Sequence, residues 1–313
     1  CTDDRQPPDL LDHGGIDAMV RTVVEAGVPP VEAIRLATLN PAEHYGLTDR
    51  GGIAPGRRAD LLVLDDLPGF QVGEVWSGGV AVARAGAPLD WDGPSHPAAP
   101  RPSMTVDWAS LDLRIPAREG EVRVIELIPH QLVTRARIVS PTLSGGLVVS
   151  DPTRDLLKIL VMERHRGSGR VGRGLVNGMG FRQGAIAGTV AHDHHNLVAV
   201  GVDDASILTA SRRVADLGGG LAVARGGEVL ASLPLPVAGL MSTRPIEEVR
   251  AELEEVLAAA RTLGTSLHDP FMAMSFLALE VIPSLKITDQ GLVDVDRFRP
   301  VDLWVQGSRE KKG

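Results

Sequence analysis

The chain has 313 residues, 43% of them hydrophobic and 23% charged, with a formal net charge of −8. That is enough chain for about two or three domains with cores of their own, and the acidic balance offers no basic face for nucleic acid or an anionic membrane. Apolar runs such as Leu197 to Val202 are far too short to cross a bilayer, and one cysteine, Cys1, excludes a disulfide framework and fits a reducing cytoplasm.

The chain opens on Cys1-Thr2-Asp3-Asp4, without Met and without a charged-then-apolar signal segment, as expected of part of a longer polypeptide. To about residue 48 the pattern is helical. Ile16, Val20, Val23 and Val24 share one face and Gly27 stops that helix; a second runs from Pro30 to Thr38; Asn40-Pro41-Ala42-Glu43 predicts a third, with Asn40 as N-cap and Gly46 as the stop. From 49 to 95 the pattern is β. Ala59 to Asp65 reads as a short buried strand, and Val72 to Trp76 and Val80 to Arg84 flank the hairpin signal Ser77-Gly78-Gly79. Residues 91–103 hold Pro94, Pro97, Pro100 and Pro102 with little apolar content, which is linker composition.

The remainder reads as an α/β domain. Strands are expected at Val122–Leu127, Leu156–Met162, Ala185–Ala191 and Leu197–Val202, a hairpin around Gly226-Gly227, and helices near Ala205–Leu217 and over 245–263, the latter stopped by Gly264. Phe271, Met272, Met274 and Phe276 read as core. Gly167-Ser168-Gly169 resembles a phosphate loop only loosely, lacking a following Lys-Ser/Thr or helix. It is expected to be a mobile hairpin turn, with Arg164, Arg166, Arg170 and Arg173 in solvent and Arg309–Gly313 a disordered tail.

Two clusters could carry chemistry. A carboxylate such as Asp3 can ligate a divalent metal and shuttle a proton, although Thr2-Asp3-Asp4 alone is also ordinary cap or turn composition. In Ala191-His192-Asp193-His194-His195-Asn196, three of the chain's nine histidines fall within four positions. If the preceding strand continues, His192 and His194 share a face at a spacing that suits metal binding; surface imidazoles or a hydrogen-bonded turn are the alternatives.

Asn40-Pro41-Ala42, followed by Gly51-Gly52-Ile53-Ala54-Pro55-Gly56-Arg57-Arg58-Ala59-Asp60-Leu61-Leu62-Val63-Leu64-Asp65, resembles the closing signature of the amidohydrolase superfamily. In it Asp60 is expected to accept turn amides. The resemblance implies an α/β chain: the last strand and helices of a metal-dependent hydrolase TIM barrel (1–48), a small β-sandwich segment (49–95), a linker (96–116) and a C-terminal α/β domain (117–313). It places Asp3 as the carboxylate after the eighth barrel strand, a metal ligand and general acid/base, with Asp4 the neighbouring candidate. One barrel strand without its partners is expected to leave apolar helix surface uncovered and to make residues 1–48 less ordered than 117–298.

Ala185-Ile186-Ala187 leading into the histidine cluster, Asp269-Pro270-Phe271-Met272-Ala273-Met274, Leu285-Lys286-Ile287-Thr288-Asp289-Gln290-Gly291-Leu292 and Gly178-Met179-Gly180-Phe181 resemble the C-terminal domain of bacterial adenine deaminases. This second resemblance implies hydrolytic deamination of adenine to hypoxanthine and ammonia by a metal-bound hydroxide. It also implies a binuclear Mn2+ or Fe2+ site whose remaining ligands lie upstream in a missing N-terminal barrel half, and a cytoplasmic homo-oligomer with no nucleic-acid or membrane partner. The isolated chain is expected to be inactive. His192, Asp193 and His195 are expected to reach substrate at the barrel mouth; a buried hydrogen-bond network is the other reading. Another cyclic amide or amine as substrate, or a non-catalytic fragment, are the alternatives for the chain as a whole.

Overall fold

In the computed structural model, which describes residues 1–90 and 101–305, backbone contacts divide the chain into two units, Cys1–His96 and Pro97–Gly313. The first begins with α1 (Pro7–His13), α2 (Ile16–Glu25), α3 (Pro30–Ala37) and α4 (Leu39–His44). They are followed by the strands β1 (Leu61–Asp66), β2 (Gln71–Ser77), β3 (Val80–Arg84) and β4 (Ala87–Pro88), antiparallel in that order. The apolar stripe of α2 does what its spacing predicts: Val20 is buried with Ala33 of α3 and Phe70, and Val23, Val24 and Ile34 pack around them. Ser77 pairs with Val80, so Gly78 and Gly79 alone make the turn, at φ 59° and 87°. Both are left-handed positions that a two-residue hairpin of this kind requires. Asp60 accepts the Gly78 N–H at 2.8 Å and an Arg58 N–H at 2.9 Å, the structural role expected of it.

Two local expectations change. Asn40 is not an N-cap: α4 starts at Leu39, two residues before the expected Pro41, and Thr38, at the cap position, turns its hydroxyl back onto the Ile34 carbonyl at 2.7 Å. Pro41 therefore sits within the first helical turn, where its missing N–H costs nothing. Nor is β1 buried: Leu62 is 50% exposed, because this four-stranded sheet covers only the Leu64 and Val72 side within its own unit. Val31, Leu36, Tyr45 and Ile53 are exposed as well, which is the uncovered apolar surface expected here.

The second unit is built on a nine-stranded sheet. Its strands are β5 (Glu121–Leu127), β6 (Thr134–Val139), β9 (Leu156–Met162), β10 (Val171–Asn177), β11 (Ala185–Gly188), β12 (Leu197–Gly201), β13 (Gly220–Arg225), β14 (Glu228–Pro234) and β18 (Trp304–Val305). The order is β14-β13-β11-β12-β9-β10-β5-β18, with β6 also on β5, and the β5–β10 pair is parallel. A small hairpin, β7 (Leu143–Ser144) with β8 (Leu147–Val148), stands apart. The helices α5 (Asp204–Asp216), α6 (Ile246–Thr262) and α7 (Pro270–Leu277) and a three-stranded sheet, β15 (Leu285–Thr288), β16 (Gly291–Asp294) and β17 (Arg299–Val301), complete the unit.

Every residue of β9 is buried. Leu157, Ile159 and Val161 point into a core with Val249, Leu253 and Val256 of α6 and Phe271 and Met274 of α7, while Leu160 and Met162 face Ile207, Ala210 and Val214 of α5. Gly172 lets the small sheet close on β10; a Cβ there would lie 1.8 Å from the Thr288 carbonyl oxygen. The stretch 101–116 does not behave as a linker. Alternate residues Met104, Val106 and Trp108, then Leu111 and Leu113, pack on the α5-side core, and the Thr105 N–H donates to the Arg164 carbonyl at 2.7 Å. Its alternation of apolar and polar residues is that of an extended strap on a surface. Residues 96–100 and the tail at Arg309–Gly313 lie outside the described residues.

The β9–β10 turn is organised from within. Glu163 is buried and its carboxylate accepts the N–H groups of His165 (2.5 Å), Arg166 (2.8 Å) and Ser168 (3.0 Å) and the Ser168 hydroxyl (2.7 Å). The amides that a phosphate would need are therefore taken by the chain's own carboxylate. Two of the four arginines differ from the solvated group expected: Arg164 is only 1% exposed and Arg173 is half-buried, donating to the Asp112 carbonyl at 2.6 Å, whereas Arg166 and Arg170 are exposed, Arg170 in an ion pair with Asp289 at 2.7 Å.

Phe181→Ala, at a side chain with no exposure, is expected to destabilise the second unit by about 3–5 kcal/mol in denaturant unfolding, whereas Leu62→Ala should stay within about 0.5 kcal/mol. Burial raises the Glu163 pKa, but the Ser168 N–H and hydroxyl and the Arg166 and His165 N–H groups outweigh it and hold the group at about 2, against an ordinary 4.5. A depressed carboxylate stabilises above its unfolded pKa and loses that stability as pH falls through the folded value. Glu163→Gln should therefore cost about 1–3 kcal/mol near neutral pH, and the difference from the parent chain should vanish between about pH 4.5 and about pH 2. A constant difference across that window would show that the carboxylate does not organise this turn.

Candidate functional site

The histidine cluster lies at one end of the large sheet, in the connection from β11 to β12. β11 ends at Gly188 rather than Ala191, because Thr189 diverts the chain: its hydroxyl donates to the Gly239 carbonyl at 2.7 Å and accepts the Gly220 N–H at 2.8 Å. The residues that follow form a tight turn, closed by the His194 N–H on the His192 carbonyl (3.1 Å) and the His195 N–H on the Ala191 carbonyl (2.8 Å). Asp193 and His195 both take left-handed backbone, at φ 67° and 44°. His192 and His194 therefore do not alternate along a strand face, and the metal-ligand spacing expected of them is not realised.

Each imidazole has its own surroundings. His192 stacks on Phe276 with ring centroids 4.1 Å apart, and its Nδ1 lies 3.0 Å from the Ser275 hydroxyl. That hydroxyl gives its hydrogen to the Met272 carbonyl (2.8 Å), so it is left to accept from His192. His194 Nδ1 accepts the Asn196 N–H at 3.0 Å, which places the ring proton on Nε2; that buried atom makes no hydrogen bond. Burial pushes the His194 pKa below its ordinary value, against the opposing Glu280 carboxylate, the Ala278 carbonyl (near, yet outside hydrogen-bond geometry) and Asp289. Nδ1 of His195 is also buried without a hydrogen-bond partner, and burial together with the Arg164 guanidinium keeps that ring's pKa low. At physiological pH both rings are thus uncharged.

Ser103, Thr105, Arg164, His165, Asp193, His194, His195, Ala238 and Leu240, with Pro102, line a cleft of about 440 Å³. Its floor is polar without being anionic: Asp193 is exposed at the rim, and an uncharged His195 ring carries one donor and one acceptor nitrogen. Such a surface suits a small neutral heterocycle better than a cation.

Asp3 stands in the other unit, exposed and in left-handed backbone at φ 53°, next to the exposed Asp4. Among the described residues no group of three or more His, Cys, Asp or Glu side chains could hold a metal ion. Asp3 can supply one ligand at most, so the residues present do not by themselves fit a metal centre. Sequence reasoning missed Glu163 and Ser275 and misplaced Arg164 in solvent. Only Glu163 left a signal, as a lone carboxylate closing the apolar run Leu156–Met162; Arg164 and Ser275 gain their contacts from segments far away in the chain.

A family model described as the adenine deaminase C-terminal domain matches residues 131–299, and an amidohydrolase family model matches residues 1–82. Among curated relatives, the adenine deaminase of Desulfatibacillum aliphaticivorans is 53% identical over 97% of this chain and 53% of its own length. That of Oleidesulfovibrio alaskensis is 48% identical over 97% of the chain and 52% of its length, and that of Methanothrix thermoacetophila 45% identical over 98% and 53%. The chain spans about half the length of the curated relatives it matches. With more than half of its residues matched by the one domain model, the chain belongs to the adenine deaminase C-terminal domain family.

Proposed function

We propose that this chain acts, within a polypeptide of its relatives' length, in the hydrolysis of adenine to hypoxanthine and ammonia. The observation that carries the reading is the 53% identity to an adenine deaminase sustained over 97% of the chain, across both units. The finer fold belongs to the same proposal: residues 1–48, which hold four helices and not the strand expected there, as the closing helices of a TIM barrel, 49–95 as part of a small β-sandwich, and 117–313 as the domain peculiar to adenine deaminases. So do a homo-oligomeric, cytoplasmic enzyme and the identity of the metal that the family implies, manganese or iron in a binuclear site. No helix among the described residues is long and apolar enough to cross a membrane.

In the reaction, water adds to the purine carbon that bears the amino group, and ammonia leaves once its nitrogen has taken a proton. Asp3 is proposed as the carboxylate that carries this proton and as one metal ligand, with Asp4 as the neighbouring candidate. His192, Asp193 and His195 are proposed to bind the substrate or its water. A neutral imidazole can donate to a purine ring nitrogen or accept from a ring N–H, and it adds no net charge to a neutral ligand. Since the described residues do not compose a metal centre, the ligands beyond Asp3 would come from the part of the polypeptide outside these 313 residues.

The test is ammonia release from adenine by the protein at its relatives' length. His195→Ala should lower kcat/KM by about 10-fold to 100-fold with melting unchanged to within about 3 °C. Asp3→Asn should lower kcat by about 10²-fold or more, and the 313-residue chain alone should release none. Turnover of guanine or dihydroorotate in place of adenine would move the chain to another amidohydrolase activity, and full activity of the 313-residue chain would refute the division of ligands.

A further inference from the structure

Two consecutive residues just beyond β9 hold the histidine turn. Arg164 spends each guanidinium nitrogen on the carbonyl of a different segment: Nε on His195 at 2.6 Å, Nη1 on Ser103 at 2.6 Å and Nη2 on Ala238 at 2.9 Å. His165 Nε2 holds the carbonyl of His194 at 2.8 Å. The carbonyls of His194 and His195 are thus both tied to the end of the central strand. The Arg164 side chain is 1% exposed, and its far side is closed: a Cβ on Gly239 would meet Nη2 at 2.8 Å. An arginine so enclosed, with its donors turned to backbone, is not built to grip an anionic ligand.

Its geometry points instead to the turn. Left-handed backbone at two non-glycine residues costs about 1–3 kcal/mol each and persists only when the surroundings impose it. The bonds from Arg164 and His165 do so for the carbonyl side of the turn. Arg164 also sets the charge around His195. The groups facing that imidazole are the Arg164 guanidinium from the end of β9 and His192, Asp193 and His194 from its own turn. Ser103, Thr105, Ala238 and Leu240 on the other walls of the cleft carry no charge, and His165 is engaged on the His194 carbonyl. Burial is the larger cause that lowers the His195 pKa, and this fixed positive charge acts in the same direction.

We propose that Arg164 is a positioning residue for purine binding: it fixes the backbone of the His192–His195 turn and with it the placement of the His195 imidazole on the cleft. This role rests on the reading that the turn binds substrate. Ionised, His195 could only donate and would bring a charge into a site meant for a neutral base; uncharged, it can do either.

The experiment pairs a titration with kinetics. The His195 ring is followed by NMR in the 313-residue chain with Arg164 intact, with Arg164→Met and with Arg164→Lys, and the same substitutions are assayed on adenine in the protein of the relatives' length. Arg164→Met should raise the His195 pKa, raise KM about 10-fold with kcat changed less than about 2-fold, and move the acid limb of kcat/KM upward. Arg164→Lys keeps the charge, so it should leave the His195 titration in place and raise KM by a smaller factor. Should the Met variant fail to fold by circular dichroism, Gly239→Ala, which pushes the guanidinium aside and leaves its charge, should raise KM in the same way. An unchanged His195 titration and KM in a folded Arg164→Met chain, or an unchanged KM in folded Gly239→Ala, would overturn the assignment. A shifted titration with activity indifferent to His195→Ala would instead remove the substrate reading, and with it this role.

Discussion

The second unit depends on one constraint: its central strand, β9, is buried along its whole length and on both faces. A strand of this kind gives up solvent on every side chain, so each face must be covered by other segments. The sequence answers with two different covers. On one face α5 and the strap of residues 104–113 lie over Leu160 and Met162; on the other α6, α7 and the small three-stranded sheet close over Leu157, Ile159 and Val161. Even Lys158, whose parity sends it to the α5 face, is kept there by its ion pair with Asp204 at the start of that helix.

The polar end of β9 follows from the same constraint. Once both covers are in place, the two residues after Met162 are buried whether or not they are charged. Glu163 and Arg164 are neighbours of opposite sign, yet they do not neutralise each other, because the Glu163 carboxylate is already surrounded by the amides of its own turn. Burying a guanidinium without a carboxylate is tolerable only if its donors are satisfied elsewhere. Three carbonyls, from the strap, from the histidine turn and from the loop at Ala238, do this. The convergence of those segments on one side chain forms the cleft walls, so the site is a by-product of how the core closes.

Much of this was legible in the sequence wherever local rules decide. β9 spans the run predicted for it, the helix over 246–262 follows its apolar period to the stop at Gly264, and Gly78-Gly79 makes the predicted turn. What could not be read depends on distant partners. Met104, Val106 and Trp108 look like linker residues until a sheet face lies beneath them. Arg164 looks solvated by its glycine-rich and basic neighbours, and only the arrival of residues 103, 195 and 238 buries it. The histidines suggested a strand because Ala185-Ile186-Ala187 precedes them, but Thr189, with partners 31 and 50 positions away in the chain, ends it. Asn40 failed for a smaller reason: α4 already begins at Leu39, so Asn40 lies inside the helix.

Why a turn so dense in histidine should not be a metal site has an answer in the same contacts. His192 Nδ1 is engaged with the Ser275 hydroxyl, His194 Nδ1 is occupied by the Asn196 N–H, and the Arg164 charge lies beside His195, where it would oppose a divalent cation. Metal binding needs lone pairs converging on one point, with negative charge to receive the ion. Here two of the rings spend Nδ1 on separate partners, and a guanidinium stands beside the third. Those features favour what a metal site excludes, uncharged imidazoles held apart at fixed positions. The turn is therefore suited to hydrogen-bonding a neutral ligand rather than to holding a cation.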